Sequence, residues 1–288
     1  MFKKIFIIFM AILFLEGTVF AKTLNSEENN MTREEICKEN YKKLFKGEAL
    51  SKEGADPEML AILQKYIFGE IFTTGNLDIK TRELITVTSL AYQQTLPQLK
   101  AHANAALNVG VTPLELREAI YQLAPFMGFP KTLNALSTIN EVFNERGIKT
   151  PLEDASTTNE ENRSEKGAQI QNPLYDDEIK VLLKGLPDNM GDEVARMLTE
   201  VCFGDFYTRK ALDIKTRELL IISALVTSGD VNTLKKHIKG NLKAGNSKET
   251  ICAAIIQCMP YTGFPNAFGA LNALKEILAE EENLPQIN

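Results

Sequence analysis

The chain has 288 residues, with 32 Lys and Arg against 38 Asp and Glu and a formal net charge of −6. A mildly acidic chain with no basic stripe is not built to grip nucleic acid, which demands clustered cations against phosphates. Its 44% hydrophobic content is enough, at this length, for two modest domains with real cores.

Residues 1–21 begin with Lys3 and Lys4, run apolar from Ile5 to Leu15, and finish on small residues at Val19 and Ala21. That is the form of a secretory signal peptide cleaved after Ala21. The apolar run is shorter than the roughly 20 residues of a spanning helix, so the mature chain is expected to carry no membrane anchor and to be periplasmic or secreted. Residues 22–30 are polar and read as a flexible mature N-terminus.

From 31 to 150 the pattern is helical. Asp78 stands as an N-cap ahead of an apolar run too long for most strands. Within it, residues 85–88 are β-branched enough to suggest a strand, but the equivalent stretch 220–223 lacks strand alternation, so helix is expected in both. A helix over 96–109 should stop at Gly110, a left-handed C′ position. Thr112, Pro113 and Glu115 form a capping box with Pro in the first turn, where its missing N–H is not needed. Pro125 is expected to end that helix, and Pro130 to open the last one, which Gly147 ends. Residues 151–172 are read as a linker, because 156–171 are polar with no apolar periodicity. Residues 173–288 then form a second module.

The two modules are copies. LDIKTREL occurs at 77–84 and again at 212–219, and the same shift of 135 positions carries Phe68 and Gly69 onto Phe203 and Gly204, Gly110 onto Gly245, and Pro125, Gly128 and Pro130 onto Pro260, Gly263 and Pro265. The only two histidines, His102 and His237, also superpose. A tandem duplication of an all-α bundle predicts a pseudo-dimer packed through equivalent faces. The four cysteines, Cys37, Cys202, Cys252 and Cys258, permit disulfides without demanding them, and the reading preferred for them is buried small apolar residues.

The order of motifs resembles the carboxymuconolactone decarboxylase family, whose fold is alkylhydroperoxidase D-like: a helix opening on Arg-Glu-Leu, a helix with a mid-length His, a Gly with a Thr-x-x-Glu cap, then a Gln-x-x-Pro-x-x-Gly-x-Pro turn. The resemblance implies an all-α fold and a homo-oligomer such as a trimer of pseudo-dimers. It also implies a decarboxylase acting on a small carboxylated lactone without metal or organic cofactor. Relatives that reduce disulfides use a Cys-x-x-Cys pair before the His. Residues 93–98 and 228–233 hold no Cys, which rules out that dithiol mechanism here.

Such a decarboxylation asks for a cation to hold a carboxylate and a group to protonate carbon. His102 matches the family's His and heads the candidates, with His237 as its copy; the competing reading is a packing histidine. Arg82 and Arg217 are candidates to grip a substrate carboxylate bidentately, or else form structural ion pairs with the neighbouring module. Glu83 and Glu218 are placed to orient an Arg or the His. Glu118 falls where the family has a Glu facing the His, but its copy is Ala253, so the first site is expected to be the more competent one. Gln122 and Gln257 match each other and are read as hydrogen-bonding either a ligand or a backbone turn. The alternative to an enzyme is a binding or assembly module that kept the fold and lost turnover.

Overall fold

The computed structural model describes residues 31–282, so the signal-peptide reading and the polar stretch before Met31 lie outside it. The first module comprises α1 (Arg33–Phe45), α2 (Pro57–Gly69), a 3₁₀ turn, α3 (Ile79–Gln93), α4 (Leu96–Asn108), α5 (Pro113–Tyr121), the short α6 (Ala124–Met127) and α7 (Phe129–Glu145). The second comprises α8 (Arg163–Tyr175), α9 (Glu178–Leu183), α10 (Met190–Met197) running into a π-helix (Leu198–Tyr207), α11 (Ile214–Ser228), α12 (Val231–Lys243), α13 (Lys248–Thr262) and α14 (Phe264–Glu282). Among the described residues there is no strand.

The repeated octapeptide starts the two central helices in the same way. Asp78 accepts a hydrogen bond from the Thr81 amide at 3.0 Å, and Asp213 from the Thr216 amide at 2.8 Å, satisfying donors that a helix start leaves open. Every residue from Arg82 to Ala91 is buried, and so is every residue from Arg217 to Val226. A helix wrapped on all sides has no polar face, which is why residues 85–88 looked strand-like while forming helix. Helices α3 and α11 pack on each other, α13 also packs on α3, and one hydrophobic core runs through both modules. The duplication is therefore an intramolecular pseudo-dimer joined at equivalent helices.

The capping box at Thr112 and Glu115 is formed, and Gly110 and Gly245 take φ of +92° and +90° after α4 and α12. One proline behaves differently from expectation. Pro125 follows the end of α5 and sits in α6, but its copy Pro260 lies inside α13, which continues to Thr262.

The largest departure concerns the expected linker. Residues 163–175 form α8, which packs against the π-helix. A Cβ on Gly167 would collide with the Thr199 carbonyl, and one on Gly204 with the Arg163 carbonyl. The helix is held by close backbone approach rather than by an apolar stripe, so its polar composition hid it. Gly69 has the same relation to Arg33 in the first module. Helix α8 is thus the counterpart of α1, shifted by 130 positions instead of 135, and Tyr175 stands where Phe45 does. The five extra residues of the second module fall after Tyr175 and accommodate α9.

Candidate functional site

Each histidine sits on the helix that directly follows the one bearing a buried glutamate, one such pair per module. His102 on α4 is 8% exposed, and its Nδ1 lies 2.9 Å from Glu83 Oε2 on α3. Phe45 stands edge-on to the ring at 5.5 Å, and Tyr261 of the other module stands edge-on at 5.7 Å. At His237 the other module supplies Phe126, at 5.5 Å. Both sites are therefore walled by aromatic residues from both copies.

The second site has a hydroxyl where the first has none. Tyr175 Oη lies 2.5 Å from Glu218 Oε2 and 2.7 Å from His237 Nδ1, while the direct Glu218 to His237 distance is 3.4 Å. With Glu218 ionised, the single hydroxyl proton is donated to the carboxylate, and the Tyr175 oxygen accepts from Nδ1–H. That fixes the tautomer and leaves Nε2 as the free basic nitrogen. Burial, then the Glu218 charge, pushes the Tyr175 phenol well above its ordinary pKa, so it stays a proton donor. Tyr207 is raised by the same causes in the same order. Around Tyr175 and His237 lies a cavity of about 310 Å³, lined also by Phe126, Leu182, Phe203 and Lys236.

The arginines do not serve this cavity. Arg82 is 2% exposed. Its Nε donates to the Leu77 carbonyl, Nη1 to the Ile71 carbonyl and to Gln257 Oε1, both at 2.9 Å, and Nη2 to the Thr74 and Gly75 carbonyls. No donor is left for a substrate, and burial lowers its pKa to about 10. Arg217 is placed in the same way, donating to the Arg209 and Lys210 carbonyls and to Gln122 of the first module at 3.3 Å, while its buried Nε has no partner. Of the two readings open for Arg82 and Arg217, the grip on a substrate carboxylate is overturned and the structural role toward the neighbouring module is the one the contacts show. They staple the loop ahead of their own helix to a glutamine of the opposite copy, and this is also where Gln122 and Gln257 are spent.

Glu118 is corrected as well. It is fully buried and faces Arg209, which donates to its two oxygens at 2.8 and 3.1 Å, together with Arg117 at 3.1 Å and Arg217 at 3.6 Å. It belongs to the junction between modules, and Glu83 holds His102 instead. The absence of a carboxylate at Ala253 has a local cause. Thr74 and Gly75 occupy the places of Arg209 and Lys210, and a Cβ on Gly75 would fall 2.5 Å from that of Ala253. Where the arginine is missing, the loop closes directly onto a methyl group.

Of the residues singled out in the sequence, the structure brings His102 together with Glu83 and His237 together with Glu218. Sequence reasoning missed Tyr175 and Lys236. Tyr175 was findable only by aligning 163–175 with 33–45 across a broken register. The four cysteines are unpaired in the structure, three of them buried.

Comparison with known proteins agrees with this architecture. The model of the carboxymuconolactone decarboxylase family matches residues 57–141 and 192–276. The chain belongs to that family. The two matched segments begin after α1 and α8, so the Phe45 and Tyr175 that distinguish the sites lie outside them. Among relatives, the chain is 31% identical over 94 residues to a nitrosuccinic acid decarboxylase of Metarhizium robertsii, covering 31% of this chain and 66% of that protein. It is 35% identical over 91 residues to an uncharacterised 15.0 kDa protein of Paracoccus denitrificans, covering 31% and 68%. A 4-carboxymuconolactone decarboxylase of Acinetobacter baylyi is 31% identical over 86 residues, covering 30% and 64%. The chain thus spans just under two thirds of the two named decarboxylases. A solved structure described as a gamma-carboxymuconolactone decarboxylase subunit of Burkholderia xenovorans superposes with a TM-score of 0.47 at 19% identity, over 85% of this chain and 95% of that one, a likeness too distant to bear on function.

Proposed function

We propose that the protein is a lyase of the decarboxylase type that removes carbon dioxide from a small carboxylated molecule, and that the working site is the cavity at His237. The observation that carries this reading is the Glu218–Tyr175–His237 chain, which ends on a free Nε2 beside a cavity of about 310 Å³. In the proposed reaction the bond from carbon to the carboxylate breaks, carbon dioxide leaves, and the electron pair stays on a carbon next to a carbonyl that delocalises it. The His237 imidazolium then gives its Nε2 proton to that carbon and becomes neutral, and water restores the proton. Throughout, Nδ1–H remains bonded to Tyr175, whose own proton rests on Glu218, so the positive charge is balanced while it lasts.

In this reading the first site is the weaker one, reversing the order expected from Glu118. Phe45 offers no hydroxyl to His102, and the binding or assembly role is better supported there. Self-association fits the exposed apolar residues as well: Met59, Ile62, Phe264 and Phe268 are exposed, and so are their counterparts in the other copy, Val194, Met197, Phe129 and Leu133. We also retain export with cleavage after Ala21, for which the exported native protein should begin at Lys22 by intact mass. The test of the activity is release of carbon dioxide from a panel of small β-keto acids and carboxylated lactones. A hit that depends on His237 and not on His102 supports the proposal, and a hit that depends on His102 alone overturns it.

A further inference from the structure

The lining of the His237 cavity narrows the kind of molecule that fits. Resting on the placement of the site just proposed, we infer that this cavity takes a monocarboxylate with an apolar, ring-sized body, and rejects di- and tricarboxylates. Three observations converge.

The first is charge. Two groups in the lining carry positive charge in the proposed reaction, Lys236 and the His237 imidazolium, and the second is already balanced by Glu218 through Tyr175; the carboxylate in the lining is Glu178, and both Lys236 and Glu178 are exposed. Neighbouring Lys235 and Lys239 are taken by Glu276 and Glu280. The buried arginines that would neutralise a second carboxylate are consumed at the module junction. A dianion would therefore place one charge among apolar walls or against Glu178, at the cost of desolvation without a partner.

The second is the wall. Pro125 and Phe126 come from the first module, Leu198 and Phe203 from the π-helix, and Ile179 and Leu182 from α9. Helix α9 contains no buried residue, and Leu182 is 63% exposed. It is the stretch accommodated by the five residues that the second module has and the first lacks. An exposed helix whose leucine lines a cavity contributes apolar contact area only when something apolar lies beneath it.

The third is size. A volume of about 310 Å³ corresponds to roughly ten waters at ~30 Å³ each, the bulk of one substituted ring. The polar end of such a ligand meets Lys236 at the mouth or Tyr175 and His237 at the depth, and the ring lies against Phe126 and Leu182.

The probes are 3-phenylpropionate, its neutral amide, and phenylsuccinate, which adds a second carboxylate on the carbon attached to the ring. Because the chain has two histidines, histidine-selective ¹⁵N labelling gives two sets of imidazole signals in the intact protein, assigned by His102→Gln and His237→Gln. Titration with 3-phenylpropionate should shift the His237 signals and leave those of His102 in place. Phenylsuccinate should bind at least tenfold more weakly. The amide should bind roughly two- to fivefold more weakly, the worth of one exposed ion pair. Lys236→Gln should erase that last difference, and Leu182→Asp should weaken all three. Phenylsuccinate binding as tightly as 3-phenylpropionate, shifts at His102 alone, or no saturable binding by any of the three would overturn the inference. Binding as expected with no carbon dioxide released from any acid would sink the proposed reaction and leave this inference standing. Turnover at His237 confined to dicarboxylates would do the reverse.

Discussion

The two histidine sites descend from one module and share a helix pair, a buried glutamate and an aromatic wall borrowed from the other copy, yet one hydroxyl and the stretch around α9 separate them. At His102 the imidazole bonds straight to Glu83, with Phe45 alongside. At His237 the Tyr175 hydroxyl reaches both the glutamate and the ring, and the cavity opens beside it. The lesson is that duplication kept the central helices and let the peripheral one drift. Helices α3 and α11 are locked by burial on all sides, where any change of volume is felt. Helices α1 and α8 touch the rest through glycine contacts and a few side chains, so an aromatic at their last position can gain or lose an oxygen without unfolding anything.

The strongest way to break this comparison is to remove each imidazole in turn. On any substrate found by carbon dioxide release, His237→Gln should lower kcat by roughly 100- to 10,000-fold, the usual loss for a proton donor, whereas His102→Gln should change it by less than about threefold. Similar losses from both would mean that the sites are equivalent. Next in size is the junction. Glu118→Ala leaves Arg217 buried without its carboxylate and should cost about 3–5 kcal/mol in urea unfolding, while Ala253→Glu in the other copy should destabilise as well, since Gly75 occupies the space it needs. An unchanged midpoint for Glu118→Ala would show that the cluster is not coupled to folding.

A smaller effect sharpens the difference between the sites directly. Tyr175→Phe makes the second site resemble the first and removes a hydrogen bond to a charged group, worth about 1.5–3 kcal/mol. It should move the His237 imidazole signals, leave those of His102 alone, and lower kcat by about tenfold or more with little change in KM. An effect confined to KM would make Tyr175 a binding residue instead. The smallest effect expected is at a helix start that only one copy caps. Asp230 accepts from the Thr233 amide at 3.0 Å, whereas Thr95 makes no side-chain cap. Asp230→Ala should cost about 1 kcal/mol. The Thr233 hydroxyl, then its amide, hold the Asp230 carboxyl below its ordinary value of 3.8. The folded pKa is thus the lower one, so this stability is present above pH ~4 and fades as pH falls through the folded value. Unfolding at pH 7 and at pH 3 should therefore show the wild-type and variant chains converging.

The sequence by itself determined the repeat, the all-α class and the capping of the central helices, because these depend on local spacing: Asp78 before Thr81 and Gly110 after α4. It left Glu83 open between an Arg and the His and set Glu118 against His102, whereas the structure puts Glu83 there. Arg82 was open between a substrate carboxylate and the neighbouring module, and Gln257 between a ligand and a backbone turn; the two are bonded to each other across the modules. Tertiary structure alone decided what the buried charges serve. Residues as far apart as Glu118 and Arg209 meet only once the copies pack, and burial then turns most of the arginine donors to acceptors inside the protein. It also decided that a polar stretch resembling a linker is helix α8, because two glycines let the backbones approach, a contact that leaves no apolar periodicity to read. Tyr175, at the end of that helix, reaches Glu218 and His237 for the same reason.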